Sequence, residues 1–174
     1  MREAALMFGI PRVASDSFDQ VVRQRERQVL RIAYRMLGNW ADAEDAAQEA
    51  FLRLHRRGLD FPNEAVLGAW LYRVTVNLCV DRTRSSRPSC ELPELRSGGM
   101  PADAALLREE RKQRLMEALA TLPARERAAV TLREIEGLST VEVAEVLGST
   151  EGTVRSQISK AMTRLRAIMS GEKQ

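Results

Sequence analysis

Histidine occurs once in this chain, as His55, and cysteine twice, as Cys79 and Cys90. Two cysteines in a chain of 174 residues do not make a disulfide framework. One histidine and no second cysteine pair leave too few ligands of the right kind for a zinc site, so no metal is expected. Long apolar runs are missing as well. Nothing approaches the roughly 18 apolar residues of a membrane span, and the opening "MREAALMFGIPR" lacks the longer apolar stretch of a secretory signal. A reducing cytoplasm is the expected compartment. The phosphate-binding and nucleophile motifs GxxxxGK[ST], GxGxxG and GxSxG are all absent. No catalytic residue, cofactor or enzyme activity is expected.

What is present is helical. Apolar residues recur at helical spacing along most of the chain, and no segment alternates like a half-buried strand. The pattern predicts a helix from about Ser17 to Leu37, with Phe18, Val22, Val29, Ile32, Ala33 and Met36 inward. Gly38-Asn39 should close it. A second helix follows over about 41–57, with Ala43, Ala46, Ala47, Ala50, Phe51 and Leu54 inward, and a third begins near Glu64. The stretch "SSRPSCELPELRSGGMP" then breaks the period with Ser, Pro and Gly, a composition that reads as a flexible linker. Helices resume near Asp103, pause at Leu122-Pro123 and run on to Glu136. The expected fold is therefore all-α, with two small helical domains joined by a linker. Residues 1–16 form an N-terminal extension, 17–84 the first domain, 85–102 the linker and 103–174 the second domain.

Net charge is only +3, but the charges are segregated. Asp42, Glu44, Asp45 and Glu49 crowd one helix, whereas no acid follows Glu151 through Arg166 in "EGTVRSQISKAMTRLR". Before that basic helix, Ser139 and Glu142 have the spacing of a capping box, in which each side chain bonds the other's free backbone amide. Gly148 permits a turn, and Ser149 or Thr150 can cap the next helix. Val154, Ile158, Ala161, Leu165 and Ile168 should bury one side of it. The layout is that of an ordinary helical hairpin or of a helix-turn-helix whose second helix enters the major groove. Small Ala144 at the crossing and Gly148 in the turn favour the second reading, and the C-terminal domain is expected to contain this motif. Its outer face would then present Arg155, Ser156, Ser159 and Lys160 to phosphates and base edges.

Two further stripes are readable. Asp45, Gln48, Glu49 and Leu52 lie about a turn apart opposite the alanine face. An acidic patch repels DNA, so it is a solvated surface or a protein contact, and pattern alone leans to the former. Arg73, Asn77, Asp81 and Arg84 share one side of the third helix, while Trp70, Val74 and Leu78 fill another. Asn77 is an idle surface residue or a hydrogen-bond donor to an exposed base.

These segments, in this order, resemble the extracytoplasmic-function (ECF) group of bacterial sigma factors, the initiation subunits of RNA polymerase. "YRMLGNWADAEDAAQEAFLRLHRR" is similar to the group's polymerase-binding segment and "AWLYRVTVNLCVDRTR" to its promoter-melting segment. "LPARERAAVTLREIEGLSTVEVAEVLGSTEGTVRSQISKAMTRLR" is similar to its upstream-element reader. The resemblance covers nearly everything from Ser17 to Met169 except the linker. It implies that Asp45, Gln48, Glu49 and Leu52 dock on the clamp helices of core RNA polymerase. It implies that Asn77, with Arg73, Asp81, Arg84 and the loop before Trp70, takes a base flipped from the minus-ten element. Arg155, Ser156, Ser159 and Lys160 would read the minus-thirty-five element of promoter DNA, and the second domain would meet the polymerase flap. An anti-sigma factor is the further partner implied. Gln157 stands where many relatives carry Arg, and Ser159 and Lys160 replace bulkier residues or Arg. The rival reading is a free-standing dimeric helix-turn-helix regulator, which leaves the first hundred or so residues without a task.

Overall fold

The computed structural model describes residues 18–85 and 102–170. The expected N-terminal extension and most of the expected linker lie outside them. Among the described residues there are helices and turns and no strand. In chain order these are α1 (Phe18–Leu37), α2 (Trp40–Arg57), α3 (Glu64–Ser85), α4 (Ala102–Ala120), α5 (Ala124–Val130), α6 (Thr140–Leu147) and α7 (Glu151–Met169). A π-helical turn over Thr131–Ile135 continues α5.

The first three helices form one bundle. Val29, Ile32, Ala33 and Met36 follow the helical period and are fully buried on α1, together with Val21 about two turns earlier. Gly38, at φ 76°, ends the helix in the left-handed region, where a residue with a side chain is strained. Asn39 then caps α2 by accepting a hydrogen bond from the Asp42 amide at 2.9 Å. Reversal within so few residues lays α2 back against α1. The inward face of α2 is mostly alanine, which lets the two backbones approach closely.

Helix α3 departs from the expected one-sided pattern. Leu67, Leu71, Leu78 and Cys79 are buried, but so are Tyr72, Val76 and Val80 on its other sides. The cause is sandwiching: α3 packs on α1 and α2 and also on α5 and α6. A helix covered on several sides is apolar nearly all round and has no single stripe to read.

Helices α4 to α7 make the second helical unit. Ala161 and Leu165 of α7 close on Ala118, Leu119, Leu122 and Val130. Ile168, expected inward, is 44 % exposed, because the packed stripe of α7 ends at Leu165. The larger core cluster runs without a break from α1, α2 and α3 into Ala128, Leu132, Val143, Leu147 and Val154. The two helical units therefore meet through a shared apolar core.

Candidate polymerase and nucleic-acid interfaces

On α2 the buried alanines turn Asp45, Gln48 and Leu52 outward, with Glu49 partly covered beside them. Leu52, one turn beyond Gln48 and Glu49, is 44 % exposed, a large apolar side chain on the surface. Arg82 lies 3.7 Å from Asp45 and 3.8 Å from Asp42, and Glu49 pairs with Arg53 at 2.9 Å. These pairs are exposed and contribute little to stability, at most about 1 kcal/mol each. The face thus carries Asp45, Gln48 and Glu49, with the exposed Leu52 at the end where Arg53 and Arg56 begin.

The third helix begins where Asn63 accepts a hydrogen bond from the Val66 amide at 3.0 Å. The loop before it is pinned by Phe61, which is almost fully buried. The Arg57 guanidinium sits 3.7 Å above the Phe61 ring, and Trp70 meets that ring edge-on at 5.7 Å. Trp70 is half-buried, part of the loop's packing and part of its surface. Further along, Arg73, Asn77, Asp81 and Arg84 are exposed on successive turns, as expected. Arg73 is not idle. Its guanidinium donates to the Glu145 carbonyl of α6. Between the two helices lies a cleft of about 510 Å³, with Val66, Gly68 and Trp70 on one wall and Leu138, Glu142 and Val146 on the other.

The helix-turn-helix is built from its caps. The Ser139 hydroxyl accepts from the Glu142 amide at 3.2 Å, and the Glu142 carboxylate accepts from the Ser139 amide at 2.7 Å. The Ser139 hydrogen bonds also hold the Glu142 carboxyl below the usual carboxylate range. Gly148 adopts φ 58°, and the Ser149 amide reaches back to the Ala144 carbonyl at 2.9 Å. Of the two candidate caps for α7, Thr150 is the one used, accepting from the Thr153 amide at 3.2 Å. Ala144 is buried at the crossing, and Val154 and Ala161 fix one side of α7 in the core. Arg155, Ser156, Ser159 and Lys160 are consequently exposed together on the other side. Arg155 bonds Glu151 one turn earlier at 2.5 Å, so the acid at the helix start orients the first basic side chain of the row. The Gln157 side chain has its carbonyl oxygen buried without a hydrogen-bond partner.

Two residues that sequence reasoning passed over join the units. Arg127 is buried and donates to the Ala120, Leu122 and Met36 carbonyls, the last across to α1. Burial lowers its pKa from the ordinary guanidinium value. Glu136 pairs with both Arg31 and Arg35 of α1. Among the described residues no cluster of His, Cys, Asp or Glu is placed to hold a metal ion, and no helix is long and apolar enough to cross a membrane.

Comparison with known proteins gives these surfaces a context. Residues 21–88 match the family described as Sigma-70 region 2, and residues 112–165 match Sigma-70, region 4. The ECF RNA polymerase sigma factor SigM of Mycobacterium tuberculosis is 35 % identical over 161 residues, covering 90 % of this chain and 80 % of SigM. SigW of Bacillus subtilis, also an ECF RNA polymerase sigma factor, is 30 % identical, covering 87 % of this chain and 88 % of SigW. This chain belongs to the ECF RNA polymerase sigma factors. Solved structures share the architecture. CnrH, in complex with the cytosolic domain of CnrY, superimposes with a TM-score of 0.67 at 25 % identity, covering 90 % of this chain and 89 % of CnrH. The RpoE of Bartonella quintana, co-crystallised with the anti-sigma factor NepR, shares the fold with a TM-score of 0.69 at 21 % identity, over 90 % of this chain and 98 % of that one. In this sigma factor the acidic face of α2 and the Arg73–Arg84 stripe of α3 fall within the region 2 match. The exposed row of α7 falls within region 4.

Proposed function

We propose that this sigma factor docks on core RNA polymerase through Asp45, Gln48, Glu49 and Leu52 of α2. The exposed leucine flanked by charged side chains supports this, since an apolar patch with a charged rim suits a protein partner. Arg73, Asn77, Asp81 and Arg84, with the loop that Phe61 anchors, take the minus-ten element. Arg155, Ser156, Ser159 and Lys160 read the minus-thirty-five element from the major groove. The observation that carries the reading is the α7 row: side chains able to donate to phosphates and bases stand exposed, while Val154 and Ala161 pin the opposite side. The functional units are residues 17–84 and 103–174, with 1–16 as an extension and 85–102 as their connection. Work at the polymerase places the protein in the cytoplasm, as an initiation factor rather than an enzyme.

Energetics favour joint action. Binding weakens with salt at a slope of about 0.9 per phosphate neutralised, and non-specific affinity is typically about 0.1 mM to 1 µM. A few basic residues on α7, one of them already paired with Glu151, hold a promoter weakly. Coupling two weak sites on one polymerase raises the effective concentration of each for its own element. The flap of the polymerase is the proposed contact of the second unit. An anti-sigma factor is the further partner proposed, as for the RpoE of Bartonella quintana, which was co-crystallised with the anti-sigma factor NepR.

Run-off transcription with core polymerase and a promoter library tests the proposal. Wild-type protein should direct initiation from a subset of promoters. Reversing charge at Asp45 and Glu49 should abolish that and co-purification with core, while helical circular dichroism stays unchanged. Full retention of core by the reversed protein would overturn the docking assignment. A dimer bound to a palindrome without polymerase would instead favour a free-standing regulator.

A further inference from the structure

One exposed arginine lies over the loop that joins α2 to α3. Gly58, at φ 82°, turns the chain out of α2, and the Phe61 amide then donates to the Leu59 carbonyl at 2.8 Å. The turn drives the Phe61 ring into the core, where the residue is 1 % exposed. Arg57, the last residue of α2, reaches back over it. Its guanidinium carbon sits 3.7 Å from the Phe61 ring centroid and 5.5 Å from that of Trp70, and it donates to the Asp60 carbonyl at 3.4 Å. The first distance is a stacking separation, since a guanidinium turned edge-on would push a nitrogen into the ring. One flat side of the guanidinium is therefore on Phe61. Arg57 is nevertheless exposed, so its other flat side faces solvent. Holding a long cation in one geometry costs rotamer freedom. A loop already fixed by the buried Phe61 and by the Asn63 cap of α3 does not need it.

A guanidinium held flat, with an aromatic ring behind it, has the make-up of a stacking platform. Unpaired bases stack on aromatic rings and on arginine planes alike, and the positive charge suits a strand of phosphates. Position agrees. Trp70 and Asn77 are about two turns or roughly 10 Å apart on α3, so they stand nearly in line along the helix. An unpaired strand held at Asn77 and running toward the start of α3 meets the Arg57–Phe61–Trp70 stack. We infer that Arg57 is a stacking platform for one unpaired base of the melted strand, held flat for that purpose by Phe61. Stacking tolerates any base, so Arg57 adds affinity for the open strand without adding sequence preference. Lysine at this position would keep the charge and lose the plane. The inference rests on the reading of α3 and its loop proposed above.

A cycle of base removal and side-chain replacement tests the platform on the holoenzyme. The template is a promoter recovered from the library, pre-melted at the downstream element, with an abasic site placed at each unpaired position in turn. With wild-type protein, base removal at one position should weaken binding by roughly five- to a hundredfold, the range for loss of a stacked base. Exchanging that base for another should have little effect. Arg57→Ala and Arg57→Lys should bind the intact template more weakly and lose the sensitivity at that position. Arg57→Phe, flat but uncharged, should keep it. Asn77→Ala should leave that position sensitive and lose sensitivity at another. Co-purification with core and helical circular dichroism check that each variant is folded and docked. Full sensitivity in Arg57→Lys, or its loss in Arg57→Phe, would overturn the platform. Sensitivity that persists at every position in Arg57→Ala, with loss in Asn77→Ala, would overturn the platform and leave the minus-ten reading standing. Insensitivity of the wild-type protein at every position would overturn the reading of α3 together with the platform.

Discussion

Cys79 shows how far packing can override a side chain's ordinary chemistry. It is fully buried on α3, and desolvation pushes its thiol from the ordinary 9.0 up to about 12. A thiol held neutral is a poor nucleophile. In a Cys90→Ser variant, Ellman's reagent at mildly alkaline pH should find no reactive thiol in the folded protein and one after urea. Rapid labelling without denaturant would contradict the burial. The same shift has a consequence for stability. The folded pKa is raised, so the contribution is complete below about pH 9 and is lost as pH rises from there toward 12. Urea midpoints should fall over that range, and less steeply in Cys79→Ala. At this scale the exposed residues were the legible ones, because Arg155, Ser156, Ser159 and Lys160 follow from helical period once Val154 and Ala161 are assigned inward. Arg127 and Glu136 were not legible. Their partners, Met36 and the Arg31–Arg35 pair, lie far away in sequence, and a local pattern carries no trace of them.

Helix α6 owes its start to two side chains and its end to one glycine. Ser139→Ala removes the acceptor for the Glu142 amide and should cost about 0.5–2 kcal/mol of stability, as loss of such caps does. The Glu142 carboxyl is held low by the same serine, so its contribution is present above its unfolded pKa and fades as pH falls through its folded one. Denaturation at neutral and at acid pH should therefore differ less for Ser139→Ala than for wild type. Gly148→Ala places a side chain at φ 58° and should cost about 1–2 kcal/mol. An unaltered urea midpoint for Gly148→Ala would contradict the left-handed turn. These boundaries were readable because caps and glycines act within a few residues. Two features of the elements were not. The burial of α3 on several sides depends on α5 and α6 arriving from far along the chain. The π-helical turn at Thr131–Ile135 has no local signal in a stretch whose residues also suit an ordinary helix.

At the scale of the molecule, the all-α architecture followed from periodicity and the absence of alternation, whereas the contact between the two helical units did not. In the proposed mechanism, two DNA-facing surfaces on separate helices act at different steps. Region 4 contributes the α7 row, and region 2 contributes the α3 stripe. Loss of one good base contact costs roughly 1–3 kcal/mol, and holding a base out of the stack requires a few kcal/mol from its pocket. Arg155→Ala and Lys160→Ala should therefore weaken binding to duplex promoter and relax preference at the upstream element. Asn77→Ala should bind duplex nearly as well as wild type but open it poorly. The most direct measurement is promoter opening by permanganate reactivity, with holoenzymes carrying Asn77→Ala or Lys160→Ala, on fully duplex and on pre-melted templates. Pre-melting the downstream element should rescue Asn77→Ala and leave Lys160→Ala impaired. Equal loss of duplex binding in both variants, with no rescue by pre-melting, would contradict the two-surface mechanism.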